Sequence, residues 1–318
     1  MRLAWGYVAV LVMVWVAVWR FGDAASLSTV VAFGPRWAWG LPLLPLLLPR
    51  LRGAVVLPLM VGAWIVLWPI MGFVAAGAWA GSVSAPGRPA RIITANLGSR
   101  QLVSGLLVAM IARLGPDLVL MQECTERAEP AFPRELWSFH EDDGLCIASR
   151  HSIDNVNVRY RRDEPGHGAF AARYRIRFHE TAIEVANLHL DSPREGFTSI
   201  LRGAGGLAGV QAAIEQRRAQ SRIVRAWLDH ADPSAMIVGG DFNAMPDGAI
   251  YRESWSHLVN AYSVGGIGWG YTKYESWAIA ARIDHILVGP RWKVTSAWVE
   301  GSDGSDHRPL VADLVLTR

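Results

Sequence analysis

Three short runs in the second half of the chain carry residues able to do hydrolytic chemistry. Gly239-Gly240-Asp241-Phe242-Asn243 directly follows residues 234–238, an apolar stretch rich in β-forming residues. That context sets one carboxylate and one amide at the end of a buried strand. Arg282-Ile283-Asp284-His285 and Ser305-Asp306-His307-Arg308-Pro309 add two carboxylates and a histidine. Upstream, Asn96, Glu123 and His189 each close a strand-like segment. Metal-assisted attack of water on a phosphate ester needs a cation to polarise the phosphoryl oxygen, a base for the water, and fixed donors for the growing negative charge. Carboxylates and a histidine converging at strand ends supply those parts. A single acid at a strand end is ordinarily a cap or a surface residue, so the repetition carries the signal. No Ser-His-Asp elbow, P-loop or cysteine nucleophile motif competes with it.

The elements that must position these residues read as mixed α and β. Residues 91–96, 117–123, 145–149, 169–178, 181–189, 236–239, 283–288 and 310–316 have strand character, with a hairpin turn at His179-Glu180. Residues 102–114 and 212–230 have helical periodicity. Strands outnumber helices and the connections vary in length, which favours an α+β sandwich over a doubly wound parallel sheet. Arg217 and Arg218 read as the exposed face of the long helix, and His285 as structural. Residues 192–209 are glycine-rich and carry Phe197, Ile200 and Leu201; they read either as a mobile loop or as a lid admitting an amphiphilic substrate.

Six segments occur in order over residues 91–318: Thr94-Ala95-Asn96-Leu97, Gln122-Glu123, Asn187-Leu188-His189-Leu190, Gly239-Gly240-Asp241-Phe242-Asn243, Gly270-Tyr271-Thr272 ahead of Arg282-Ile283-Asp284, and Ser305-Asp306-His307-Arg308-Pro309. In these segments the chain resembles the endonuclease/exonuclease/phosphatase superfamily, which includes pancreatic deoxyribonuclease, apurinic endonucleases, sphingomyelinases and inositol-phosphate phosphatases. The resemblance implies a four-layer α/β/β/α sandwich over residues 90–318 with its site at one end of two packed sheets. It implies Glu123 as principal metal ligand, helped by Asn96 and Asp306. Asp241 would position or deprotonate the attacking water, and Asn243 would orient water or phosphate. His307, held by Asp284, would meet the phosphoryl oxygens, with His189 on the opposite side. So sparse a ligand set suits Mg²⁺, with Mn²⁺ as the alternative, better than Zn²⁺.

The N-terminal quarter is different in kind. The chain is 51% hydrophobic with a mean hydropathy of +0.20, and the surplus is concentrated there. Residues 3–19 are uncharged between Arg2 and Arg20, and residues 53–87 are uncharged over a length able to cross a bilayer. Residues 24–49 are apolar but interrupted by Arg36, Pro42, Pro45 and Pro49. The expectation is a membrane region over residues 1–81 with transmembrane helices at the first and third stretches and a weaker span between them. A cleaved signal peptide is the alternative for the first, although its apolar core exceeds the usual ~7–15 residues. Residues 82–89 then form a linker.

Charge follows the same division. Residues 1–88 hold six arginines and one acid, whereas the remainder holds 25 basic and 27 acidic residues, a balance of −2. The pI near 9.1 therefore belongs to the membrane region, and the catalytic domain lacks the strong basic field on which nucleic-acid affinity relies, apart from a local cluster at Arg159, Arg161 and Arg162. Cys124 and Cys146 lie in apolar segments and read as buried small hydrophobes, with a disulfide as the alternative in an oxidising compartment.

Together these features point to a multi-pass cell-membrane protein bearing an Mg²⁺-dependent phosphoesterase that cuts a phosphate ester or pyrophosphate, its substrate lipid-linked. With three spans and Arg2, Arg50 and Arg52 inside, the catalytic domain is extracytoplasmic; with two it is cytoplasmic. A membrane-anchored nuclease acting on DNA or RNA is the alternative function, and a catalytically silent scaffold the third.

Overall fold

The computed structural model of the chain describes residues 1–47, 52–78, 86–98, 105–163, 167–201 and 206–317. Arg50, Ser84, the first half of the expected linker and residues 202–205 of the glycine-rich segment lie outside the described residues.

The N-terminal region contains α1 (Arg2–Phe21), α2 (Ser26–Phe33), a 3-10 stretch Arg36–Leu47, and α3 (Arg52–Ile65), which continues as a π turn to Ile70. The catalytic region follows with β1 (Arg88–Asn96), α4 (Gly105–Leu114), β2 (Leu118–Cys124), β3 (Ser138–Asp142), β4 (Gly144–Ser149), β5 (Ile153–Tyr160), β6 (Ala169–Phe178) and β7 (Thr181–His189). Next come α5 (Arg194–Leu201), α6 (Gly206–Leu228), β8 (Ile237–Asp241), α7 (Ala249–Ser254), β9 (Val259–Asn260) and α8 (Ala261–Gly265). A hairpin of β10 (Lys273–Ser276) and β11 (Ile279–Ala281) precedes β12 (Asp284–Val288), β13 (Trp292–Val299) and β14 (Leu310–Leu316).

Two six-stranded sheets result, ordered β13-β14-β1-β2-β4-β3 and β5-β6-β7-β8-β12-β9. The inner pairs β1–β2 and β7–β8 are parallel and their neighbours antiparallel. Side chains such as Ile92, Leu120, Ile147, Val185, Ile237 and Ile286 fill the space between the sheets. The outer face of one sheet packs under α4 through Leu107, Met110 and Ile111. The outer face of the other packs under α6 through Ile214, Val224 and Trp227. The expected α/β/β/α sandwich is the fold. Burial on both faces accounts for the near-continuous apolar runs of β1, β2 and β8.

Several local expectations need correction. Residues 192–201 are not a loop: α5 occupies Arg194–Leu201. The long helix starts at Gly206, ahead of the expected residue 212. The third apolar stretch is continuously helical only to Ile70, after which Val74 bridges to Gly268 of the catalytic region and a short 3-10 turn follows at Ala76–Ala78. Cys124 and Cys146, buried as expected, form a disulfide between β2 and β4, the alternative their context left open. β3, β5, β9, β10, β11 and β13 escaped the sequence reading. β5 and β13 have mixed burial patterns, and β5 and β3 are edge strands.

Residues Arg2–Ala24 are long and apolar enough to cross a membrane, with a mean hydropathy of 1.7. The segments Ser26–Phe33 and Arg36–Leu47 pass the same test only as a pair bent by 69°. Most of the exposed large apolar side chains among the described residues belong to this region, among them Leu3, Met13, Leu44, Leu57 and Met60. The region is docked on the sandwich rather than merely tethered to it. Val18 and Ala32 pack with Met245, Ala281 and Ile283. Two buried charges pin the junction: Arg36 pairs with Asp247 at 2.6 Å, and Asp23 accepts the Ile250 N–H at 3.0 Å.

Candidate active site

The strand directions bring the expected residues to one end of the sandwich. β12 runs antiparallel to β8, so its first residue, Asp284, lies opposite the last residue of β8, Asp241. β7 is parallel to β8 and pairs His189 with Asp241. In the facing sheet, Asn96 ends β1, Glu123 lies near the end of β2, and the Asp306-His307 loop enters β14, which is antiparallel to β1. The glycines before Asp241 permit the approach. A Cβ on Gly240, whose φ is +137°, would lie 2.1 Å from the Leu188 carbonyl oxygen, and one on Gly239 would lie 2.5 Å from Leu120 of the other sheet. No side chain fits at Gly240, and at Gly239 the Leu120 side chain would have to shift to admit one.

Asn96 joins the sheets. Its amide nitrogen donates to Asp241 Oδ2 at 3.1 Å and to Glu123 Oε1 at 3.2 Å. Beneath it, Gln122 donates to Asn187 at 2.6 Å, and Asn187 donates to the carbonyls of Met121 and Cys146. Glu123 sits where β2 shifts register against β4, and its φ is +52°. Such a bulge re-aims a side chain, and a left-handed φ at a non-glycine residue is a local cost held by the surrounding fold. Asn243 has a φ of +47°. Its backbone N–H donates to Asp241 Oδ1 at 2.9 Å, and its side chain donates to the Leu190 carbonyl at 2.7 Å.

His307 lies between two carboxylates. Its Nδ1 is 2.9 Å from Asp284 Oδ2, and its Nε2 is 3.7 Å from Asp241 Oδ2. Burial disfavours the charged ring, but Asp284 and Asp241 outweigh it and push the pKa up to about 9. Burial likewise works to raise Asp284, yet the His307 charge and hydrogen bonds from His307 and Thr272 hold it below the usual carboxylate range. Thr272 Oγ1 accepts the backbone N–H groups of Ile283 and Asp284 at 3.3 and 3.1 Å. Asp241, only 2% exposed, is raised to about 7 by burial and by repulsion from Asp284. His189 is depressed to about 4 by burial and by the nearby Arg161 guanidinium, which leaves a neutral imidazole. Its Nε2 is 3.8 Å from Glu123 Oε1.

Two groups of residues could hold a cation. Ligand atoms of Asp241, Asp284 and His307 lie within 4.8 Å of one another. Both ring nitrogens of His307 face carboxylates and the ring is favoured as imidazolium, so a proton already does there what a metal would do. Glu123 is the better candidate. It is partly open to solvent, and among the described residues its neighbours are the Asn96 amide and a neutral histidine, not a cation. An anionic carboxylate in that setting suits a hard divalent ion. Asp306, the third expected ligand, is half-exposed across Gly98 and is held by Lys273 and, at 3.7 Å, Arg194.

Three supporting residues escaped the sequence reading. Lys273 holds Asp306, and Arg161 donates to the His189 carbonyl at 2.8 Å and to Asp191. Arg217, expected on an exposed helix face, is 1% exposed. It donates to the Asn243 carbonyl at 2.6 Å and faces Asp23 of the N-terminal region at 3.8 Å. No local pattern marks it, because its partners are distant in sequence. His285 is structural as expected, buried with Nε2 2.8 Å from the Ala244 carbonyl.

The cluster floors a pocket of about 460 Å³ that is also lined by apolar Val30, Phe33, Phe197 and Ile279 and by the charged Arg194, Lys273 and Glu275. A larger groove of about 1070 Å³, lined by Arg159, Arg162, His167 and Trp227, touches the cluster at His189.

Residues 93–307 match the Endonuclease/Exonuclease/phosphatase family. No curated protein matches the chain significantly. Among solved structures, truncated Caenorhabditis elegans TDP2 superposes with a TM-score of 0.53 at 17% identity, covering 71% of this chain and 98% of that one. An endonuclease/exonuclease/phosphatase from Bacteroides vulgatus gives 0.54 at 18% identity, with 72% and 99% covered. At this identity the two structures show a shared fold, and the family match covers more than half of the chain. The chain belongs to the Endonuclease/Exonuclease/phosphatase family and is a metal-dependent hydrolase acting on phosphoester bonds.

Proposed function

We propose that this family member is a membrane-anchored, Mg²⁺-dependent phosphoesterase whose active site is the cluster at the sheet ends. The observation that supports it most is the Asp284–His307–Asp241 series beside Asn96 and Glu123. Asp241, with a pKa near neutrality, is placed to take a proton from the attacking water. His307, as imidazolium fixed by Asp284, donates to phosphoryl oxygens as charge develops. His189, neutral, donates from the other side. Glu123 and Asn96 would hold Mg²⁺, with Asp306 as a third ligand once released from Lys273. When bound, the ion polarises the phosphoryl oxygen and offsets charge on it.

The N-terminal region occupies the membrane in this proposal, and residues 90–318 are its catalytic domain. By the direction of its helices, α1 ends at the catalytic domain, and the chain after α3 returns to it at Val74, which bridges to Gly268. Arg2 and the start of α3 then lie on the far side. An excess of arginine there favours that side as cytoplasmic, and a disulfide in the domain favours an oxidising compartment. Both support an extracytoplasmic domain reached by three passes. A cysteine placed at exposed Asn155 tests this: it should react with an impermeant maleimide in intact cells, and protection until lysis would reverse the orientation.

A second function is favoured by one observation. The groove beside His189 combines Arg159 and Arg162 with Trp227, a pairing of cations and aromatic surface suited to single-stranded nucleic acid. A panel of membrane phosphodiesters, lipid pyrophosphates and DNA, run with the full-length protein and its Asp241→Ala and His307→Ala variants, separates the two. Preference for the amphiphilic substrates, lost in both variants, supports the phosphoesterase; preference for DNA lost in the same variants supports the nuclease.

A further inference from the structure

The pocket above the catalytic cluster is walled by the membrane region itself. Val30 and Phe33 of α2 face it together with Phe197 of α5 and with Ile279, Ala281 and Ile283 at the β10–β11 hairpin. Asp241, His307, His189 and Glu123 line the same cavity, as do the charged Arg194, Lys273 and Glu275. At about 460 Å³ it lies within the roughly 300–1,000 Å³ typical of ligand sites. A site for a wholly polar phosphoester has no need of this apolar half.

The wall is fixed in place. Gly22 precedes it, and a Cβ there would meet Gly248 Cα and Ala249 N at 3.0 Å. Asp23, fully buried, ties the turn to Ile250 and Arg217. Phe33 packs on Phe197 at 5.9 Å and lies 5.6 Å from the Arg217 guanidinium carbon. The hairpin is joined to the catalytic loop, since Tyr274 donates to the Asp306 carbonyl and Arg308 to that of Thr272. Its tip carries Trp277, 90% exposed and stacked on Trp37, whose indole donates to the Ala278 carbonyl. Exposed Trp19, Phe21 and Leu27 continue the apolar surface where α1 meets α2. Tryptophan at such a boundary suits the bilayer interface.

We infer that α2 and the β10–β11 hairpin form a chain-binding wall, which holds the hydrocarbon chain adjoining the scissile phosphate of an amphiphilic phosphoester. It rests on the sheet-end cluster being the hydrolytic site. Residues 26–33 then select substrate as well as connect the anchor. The hydrocarbon lies against Val30, Phe33 and Ile279 while the phosphate faces Asp241 and His307.

The experiment measures kcat/KM of the full-length protein in detergent, with Mg²⁺, for p-nitrophenyl alkyl phosphodiesters of increasing chain length, all below their micellar concentrations. The expected result is a rise of about three- to fourfold per methylene over the first few carbons, with the slope flattened by Val30→Ser and by Ile279→Ser. Thermal melts confirm that each variant is folded, and two separate wall positions guard against loss of either one. A flat chain-length profile in the native protein, with hydrolysis still abolished by Asp241→Ala, overturns the wall while leaving the catalytic site intact. A slope that survives both serine variants overturns it too. Hydrolysis indifferent to Asp241→Ala removes the catalytic site, and the wall with it.

Discussion

The floor and the wall of the pocket are built by different means. The floor gathers Asn96, Glu123, His189, Asp241, Asp284 and His307 from both sheets, and several of its links are hydrogen bonds of 2.9–3.2 Å. The wall gathers α2, α5 and a hairpin from outside the sandwich, and its inner face is held by apolar contact. Rigid strand ends suit the floor because proton transfer and charge stabilisation depend on angles and sub-ångström distances. Apolar contact tolerates looser geometry and adjusts affinity by area. In the proposed reading the sandwich carries the chemistry and the segments added to it choose the substrate.

Substitutions in the floor should act on turnover with the largest effect. His307→Gln is expected to lower kcat by about 10²–10⁴-fold, the usual contribution of a positioned acid or base, and to lower the melting midpoint as well, because buried Asp284 loses its cationic partner. A loss below tenfold would remove His307 from the floor. Next in size is the joint between floor and wall. Arg217→Met leaves Asp23 buried without its cation, a change that costs about 3–5 kcal/mol, seen as a fall in the melting midpoint. The double variant Asp23→Asn/Arg217→Met should recover much of that loss, because neither charge is then left alone. Failure to recover would mean the two residues do not act as a pair.

Removing the disulfide should cost less than breaking that joint. Cys124 and Cys146 are 22 residues apart, and opening such a loop by Cys124→Ser with Cys146→Ser costs about 3 kcal/mol in a chain-entropy account. Denaturant unfolding of the oxidised protein against the double variant measures it.

The smallest effect is a shift in pH dependence. His307 acts as imidazolium and its pKa is raised to about 9, so activity should persist at neutral pH and fall as pH rises through about 9. Asp284→Asn removes the main raising charge, and the alkaline fall should move to lower pH in the variant's residual activity. An unmoved alkaline limb would assign it to another group.

The same division explains what could be read from the chain. The floor was legible because each of its residues lies at or near a strand end within a short motif, and β-strand registry brings such ends together. The Gly239-Gly240 pair was visible as composition, but its reason, close approach to Leu188 and Leu120, is tertiary. The wall was not legible. α2 is an unremarkable apolar run until docked, and α5 lay in a glycine-rich stretch that favoured a loop reading. Arg217 follows the polar periodicity of a surface helix, yet it is buried because residues 23–33 cover it. The cysteines carried too little pattern to choose pairing over burial; the register of β2 and β4 chose it.

In the proposed reaction Asp241 activates water at the end of the two sheets. Its most direct test is the Mg²⁺-dependent kcat of Asp241→Asn on a soluble phosphodiester, compared with the native protein at saturating ion and with thermal melts alongside. The predicted result is a loss of about a thousandfold in a protein that melts as cooperatively as the native one. Turnover within tenfold of native would contradict it and place the base elsewhere.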